Sequence, residues 1–179
     1  MKSIDQEGIM KILILNGSPH PNGNTKALTE AFTKGAESAG HEVVEFMVGS
    51  MNIKPCLGCD WCHTKGEGKC IQKDDMEKIY EVLDVADMIV FASPVHYLGF
   101  TGPLQTTLAR FHAPFKPKAA KNALILSSNS PNVFAAIETL YKGNVGFFGA
   151  EDMGIKEVVG ADNKSETVLK DLEAFGASL

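Results

Sequence analysis

The chain has 179 residues, 44% of them hydrophobic and 22% charged, with a net charge of −5 and a pI near 5.5. Length and composition predict one globular domain with a sizeable core. The acidic balance argues against a nucleic-acid partner, and no apolar run approaches the roughly 20 residues that cross a bilayer, so no membrane partner is expected.

Residues 1–8, MKSIDQEG, are polar and lack the basic-then-apolar order of a secretory signal. They read as a flexible extension ahead of a single domain over 9–179, in a cytoplasmic protein. IMKILIL (9–15) is nearly all apolar, as a strand buried on both faces would be. A Gly/Ser/Pro/Asn stretch follows, and then a helical spacing of Ala27, Leu28, Ala31, Phe32 and Ala36, ended by Gly40. HEVVEF (41–46) is a short strand. After a cysteine-bearing segment, Asp74 and Asp75 open a helix with an apolar stripe of Met76, Ile79, Tyr80 and Leu83. DMIVFA (87–92) is another buried strand, and Pro103 starts a helix to Phe111. ALIL (123–126) is a strand, 133–147 a helix, IKEVV (155–159) a weak last strand and 165–175 a last helix.

This alternation predicts a doubly wound α/β fold, a parallel sheet with helices on both faces, and ligands bind such sheets beyond the carboxyl ends of the strands. Three polar loops fall at that edge: 16–25, 93–102 and 127–132. The first, NGSPHPNGNT, offers backbone N–H groups at a helix start together with Ser18, Asn24 and Thr25. It fits neither the nucleotide P-loop nor G-x-G-x-x-G, and Asn24 stands where the P-loop lysine would be. A terminal monophosphate suits it; a plain turn capped by Asn24 or Thr25 is the alternative. In the second loop, SPVHYLGFTG, Pro94 and Gly99 set the path while His96, Tyr97 and Phe100 offer flat surfaces to a planar ligand or simply pack the loop down. His96 is a weak candidate proton donor. SSNSPN is uninformative alone.

All four cysteines lie between Cys56 and Cys70, as C-x2-C-x2-C-x7-C. Iron–sulfur proteins use such compact runs with four thiolate ligands, and the glycines of HTKGEGK permit the chain to turn back for the last one. Structural zinc, a Cys59–Cys62 disulfide and unmetallated thiols remain open readings. Trp61 inside the loop could shield a cluster, flank a ligand bound by a partner subunit or pack on its own domain.

GSPHPNGNT after the first strand, KPCLGCDWC…GKCIQKDDM, and SPVHYLGFTGPL after the third strand together resemble the flavodoxin-like NAD(P)H-dependent FMN reductases, and within them the iron–sulfur flavoproteins. The resemblance covers about residues 10–111; the last third fits by element order. It implies a flavodoxin-like three-layer sandwich with sheet order 2-1-3-4-5 and FMN at the strand ends. Ser18, Asn22, Asn24 and Thr25 would hold the FMN phosphate. Pro94, Val95, His96, Tyr97 and Gly99 would run along the isoalloxazine, and Ser127, Ser128 and Asn129 would form a third wall. Cys56, Cys59, Cys62 and Cys70 would hold a [4Fe–4S] cluster. The implied activity is electron transfer from NAD(P)H or a ferredoxin-like donor to a small acceptor such as a quinone, nitro compound or flavin, in a homodimer or homotetramer. A non-enzymatic flavodoxin-like carrier is the other reading, and NAD(P)H oxidation separates the two.

Overall fold

The computed structural model describes residues 8–179, so the extension expected over 1–8 lies, apart from Gly8, outside the described residues. The elements run β1 (Lys11–Asn16), α1 (Asn24–Ser38), β2 (Glu42–Phe46), α2 (Trp61–Thr64), α3 (Met76–Leu83), β3 (Met88–Pro94), α4 (Gly102–Arg110), β4 (Lys121–Ser128), α5 (Ala135–Phe148), β5 (Glu151–Val159) and α6 (Glu166–Ala177). Short 3-10 turns follow β2 at Val48–Ser50 and β5 at Gly160–Lys164.

Every strand pairing is parallel, and the order is β2-β1-β3-β4-β5. Side chains alternate between the two faces of a strand, and here both faces are apolar. Leu13, Leu15, Ile89, Phe91, Leu124 and Leu126 join Met76, Ile79, Leu104, Ile137 and Tyr141 in one core, under α3, α4 and α5. Ile12, Ile14, Met88, Val90, Ala123 and Ile125 join Leu28, Phe32, Ala36 and Leu172 in the other, under α1 and α6. The result is the flavodoxin-like three-layer sandwich.

α1 and α6 touch backbone to backbone. A Cβ placed on Gly35 would lie 1.9 Å from the Glu173 carbonyl oxygen. Only glycine permits that approach, and it brings the Phe32 and Phe175 rings to 5.5 Å.

Observed and expected boundaries differ most at the far edge. β4 extends four residues around the apolar ALIL core, through Lys121–Asn122 and Ser127–Ser128. β5 is nine residues long where five read as strand, because an edge strand with solvent on part of its surface carries Glu151, Asp152 and Lys156 without losing its ladder. α2, inside the cysteine segment, has no periodic apolar signal; it starts after Asp60, which takes a left-handed φ of 56°.

Candidate functional site

The first loop leaves β1 through Asn16, which is fully buried. Its Oδ1 accepts from the Ser18 N–H at 2.9 Å and its Nδ2 donates to Glu45 Oε1 at 2.9 Å. This pair sets the path of the loop. The Ser18 hydroxyl, itself buried, accepts from the His20 N–H at 3.2 Å. The segment after β2 seals the loop from one side: a Cβ on Gly49 would meet the Ser18 carbonyl at 2.3 Å.

The start of α1 distinguishes the two readings of this loop. Gly23, not Asn24 or Thr25, occupies the cap position, and no side chain caps the helix. The first N–H groups of a 15-residue helix therefore face the strand edge without a side-chain acceptor, which is the arrangement that attracts an anion. Lys26, in the first turn of α1, is engaged by Glu45 at 2.6 Å, so amides and hydroxyls make up most of the free donors here. Asn24 is half-buried as the first residue of α1, and Thr25 is buried beneath it. Asn22 is exposed; its carbonyl accepts from Lys164 Nζ at 3.0 Å. Lys164 was not foreseen, because 142 residues separate the two.

Thr25 Oγ1 and Ser127 Oγ lie 2.8 Å apart across 102 residues, joining the first and third loops. Only one of the two hydroxyls donates in that bond, so the other keeps its proton for a ligand. Ser127 and Ser128 end β4, and Asn129 is exposed beyond them. The Val95 N–H donates to the Ser127 carbonyl at 2.9 Å, which ties in the second loop. The Thr101 hydroxyl closes the ring: it donates to the Gly17 carbonyl at 2.9 Å and accepts from Leu104 N–H at 3.4 Å, capping α4. The three expected walls therefore meet at one edge.

His96 and Gly99 exchange backbone hydrogen bonds of 3.0 and 3.1 Å around Tyr97 and Leu98, whose φ values are 51° and 66°. Two successive left-handed residues make a primed hairpin turn, normally the place of Asn and Gly. Holding bulky side chains there costs about 1–3 kcal/mol each, a kind of strain that concentrates at ligand clamps. Tyr97 stands fully exposed at the tip, Pro94 and Val95 are half-buried below it, and Phe100 is buried. His96 is exposed, and among the described residues no carboxylate lies within ion-pair distance of its ring.

The cysteine segment folds as a compact loop beside α4. The Gly68 N–H donates to the Cys62 carbonyl at 2.8 Å, turning the chain back as HTKGEGK suggested. All four cysteines line one small pocket, with Leu57, Trp61, Ile71, Arg110 and Ala113 among its walls. Trp61, half-buried, is one of those walls. All four thiols are free. The Gly58 N–H approaches Cys56 Sγ at 3.5 Å, and burial pushes the Cys62 thiol up. Tetrahedral zinc would draw four sulfurs to about 3.8 Å of one another. Among the described residues the one set of three ligands within 4.8 Å is Cys62, His63 and His112, so no three of the four thiols draw so close.

The loop is held at its base by an ion pair that sequence reading missed. Arg110, 1% exposed, donates through Nη1 to Asp74 Oδ2 at 2.7 Å and to the Lys54 carbonyl at 2.9 Å. Asp74 also accepts from the Lys54 and Met76 N–H groups. Burial works against the Asp74 charge, but Arg110 and those amides prevail and hold its carboxyl below the usual range. Burial likewise pushes the Tyr80 hydroxyl up to about 12, so it remains protonated and donates to the Arg110 carbonyl at 2.8 Å. Arg110 Nε and Nη2 are buried and have no acceptor among the described residues. Such a group costs about 1–3 kcal/mol or more, so an acceptor in the thiol-lined pocket fits the site.

A groove of about 560 Å³ lies elsewhere, between the cysteine loop, α3 and residues 114–118, and its rim mixes Lys and Glu. It does not touch the three strand-end loops. No helix among the described residues is long and apolar enough to cross a membrane.

The sequence profile of the NADPH-dependent FMN reductases matches residues 10–148. An iron–sulfur flavoprotein of Archaeoglobus fulgidus is 37% identical over 101 residues, 56% of this chain and 45% of that one. Another, of Methanocaldococcus jannaschii, is 41% identical over 104 residues, 58% and 52% of the two chains. The chain thus matches about half the length of these relatives. A solved NAD(P)H:quinone oxidoreductase from Methanothermobacter marburgensis superposes with a TM-score of 0.75 over 96% of this chain and 97% of that one, at 17% identity, which supports the fold. With a family profile over most of its length and the strand-end loops in place, the chain belongs to the NADPH-dependent FMN reductase family.

Proposed function

We propose that the chain is an FMN-dependent oxidoreductase. It takes electrons from NAD(P)H, or from a ferredoxin-like donor, and passes them to a small acceptor such as a quinone, a nitro compound or a flavin. The observation that carries this is the side-chain-free cap of α1 at Gly23, set between loops drawn together by Thr25 and Ser127. The amides of α1 and the hydroxyls of Ser18, Thr25 and Ser127 hold the FMN phosphate; Asn22 and Asn24 border it, with Lys164 close by. Pro94, Val95, His96, Tyr97 and Gly99 line the flavin ring, and Ser128 and Asn129 close the third side. Bound FMN supplies hydride acceptance and electron release. The chain's own part is to fix the cofactor's orientation and to leave one face open. His96, exposed on that wall, is placed to give a proton to a bound acceptor.

The pocket of Cys56, Cys59, Cys62 and Cys70 holds a [4Fe–4S] cluster in this reading, which adds one-electron capacity. α4 runs from Thr101, beside Gly17, to Arg110, beside the thiols, about 13 Å along its axis. A cytoplasmic homodimer or homotetramer is part of the proposal; exposed Tyr97, Phe115 and Phe147 support it. The cysteine loop also favours the alternative of a one-electron carrier without NAD(P)H activity. Anaerobic steady-state assays of the FMN-loaded protein with NADH and NADPH, using a quinone and ferricyanide as acceptors, decide. Saturable oxidation of either nucleotide, or turnover of the quinone with reduced ferredoxin as donor, supports the enzyme; electron exchange with reduced ferredoxin but no turnover of a small acceptor with any donor supports the carrier.

A further inference from the structure

Arg110 is the one arginine among the 17 basic side chains of this sequence. Everywhere else the chain uses lysine. The exception is buried, sits at the end of α4, and lines the pocket into which the four cysteines converge. A buried ion pair already favours the weakly hydrated guanidinium, but the contacts to Asp74 and Lys54 use Nη1 alone. What arginine adds is a rigid planar fork of five N–H groups. Nη1 serves Asp74 Oδ2 and the Lys54 carbonyl. Nε and Nη2 remain buried with no protein acceptor. Asp74 holds the fork through Nη1, and the Tyr80 hydroxyl donates to the backbone carbonyl of the same arginine. Cys70 and Arg110 line the same pocket.

We infer that Arg110 donates its Nε–H and Nη2–H groups to sulfur in the cysteine pocket, to a ligand thiolate or to a cluster sulfide, and so raises the reduction potential of the bound iron–sulfur centre. This rests on the cluster reading of the loop. Hydrogen bonds and positive charge at the sulfurs favour the more negative, reduced state of such a centre. Arg110 thereby does two jobs with one side chain: one edge fastens the base of the loop, the other sets the electron affinity of what the loop holds.

The single arginine makes the test direct. Protein grown with [15N]arginine carries the label at Arg110 alone, so no mutation is needed. The wild-type protein is purified anaerobically or reconstituted, and its iron is counted first. It is then reduced with dithionite and examined by pulsed EPR. A 15N coupling on the iron–sulfur signal is expected. Arg110→Lys provides the second readout: it keeps a cation for Asp74 but loses the fork. Its cluster midpoint, from a dye-mediated titration, is expected to shift negative, while the FMN midpoint stays at the wild-type value. A purely structural role would leave the cluster midpoint of iron-loaded Arg110→Lys unchanged. Iron-loaded wild-type protein without a 15N coupling overturns the inference alone. Wild-type protein that takes up no iron on reconstitution overturns the cluster reading and the inference together. If Arg110→Lys does not fold, the wild-type coupling still decides.

Discussion

At the scale of single residues the phosphate site makes a sharp prediction. Asn24→Ala combined with Thr25→Val removes two polar side chains at the start of α1 and breaks the 2.8 Å bond to Ser127. A hydrogen bond to a charged group contributes about 1.5–3 kcal/mol, so FMN affinity should fall at least tenfold, read by flavin fluorescence quenching on titration. Undiminished FMN binding in the double variant would place the phosphate elsewhere. Cys59→Ala should remove bound iron and leave FMN in place, measured as iron and flavin per chain. Loss of FMN as well would make the loop a structural part of the flavin site. These residues were legible because Ser, Asn, Thr and Cys cluster in short loops next to unmistakable strands. Arg110 and Asp74 were not legible: 36 residues separate them, and no local pattern announces a contact. The lone arginine among lysines was the available signal. Lys164 was hidden in the same way, since it reaches the first loop only through the return of the chain after β5.

At the scale of elements, the cysteine loop depends on the Asp74–Arg110 pair. Asp74 is depressed below its ordinary value of 3.8 in the fold, so its contribution is fully present above that value and is lost as pH falls through the lower folded value. Asp74→Asn should therefore lower the unfolding free energy at neutral pH by about 3–5 kcal/mol if the whole domain unfolds together, seen as a lower urea midpoint, and should flatten the decline of stability below about pH 4. Urea titrations of both proteins between pH 3 and 7 check this; parallel acid limbs would deny Asp74 the role. α1 and α6 give an independent test. Gly35→Ala forces a methyl onto the Glu173 carbonyl and should cost about 1–3 kcal/mol, seen as a lower Tm, with FMN affinity unchanged once the protein is folded. The elements themselves were largely legible, because β1, β3 and β4 are continuous apolar runs between Gly/Pro/Ser loops. β5 was underread because its exposed edge carries charge, and α2 because its conformation follows from the folded loop rather than from periodicity.

At the scale of the whole molecule, the sheet order places three loops and an uncapped helix at one edge, and α4 carries that edge to the cysteine pocket. The order 2-1-3-4-5 followed from the family resemblance; the alternation of elements alone predicted only a doubly wound sheet. That Thr25, after β1, and Ser127, at the end of β4, meet over the intervening β3 was beyond any local pattern. The central claim is that one chain holds two redox centres, a flavin at the strand ends and an iron–sulfur cluster on Cys56, Cys59, Cys62 and Cys70. The most direct measurement is anaerobic purification followed by assay of iron, acid-labile sulfide and FMN. The account predicts about four irons, four sulfides and one FMN per chain. FMN with no iron or sulfide, persisting after reconstitution with both, would contradict it and leave a flavin protein whose thiols are bystanders.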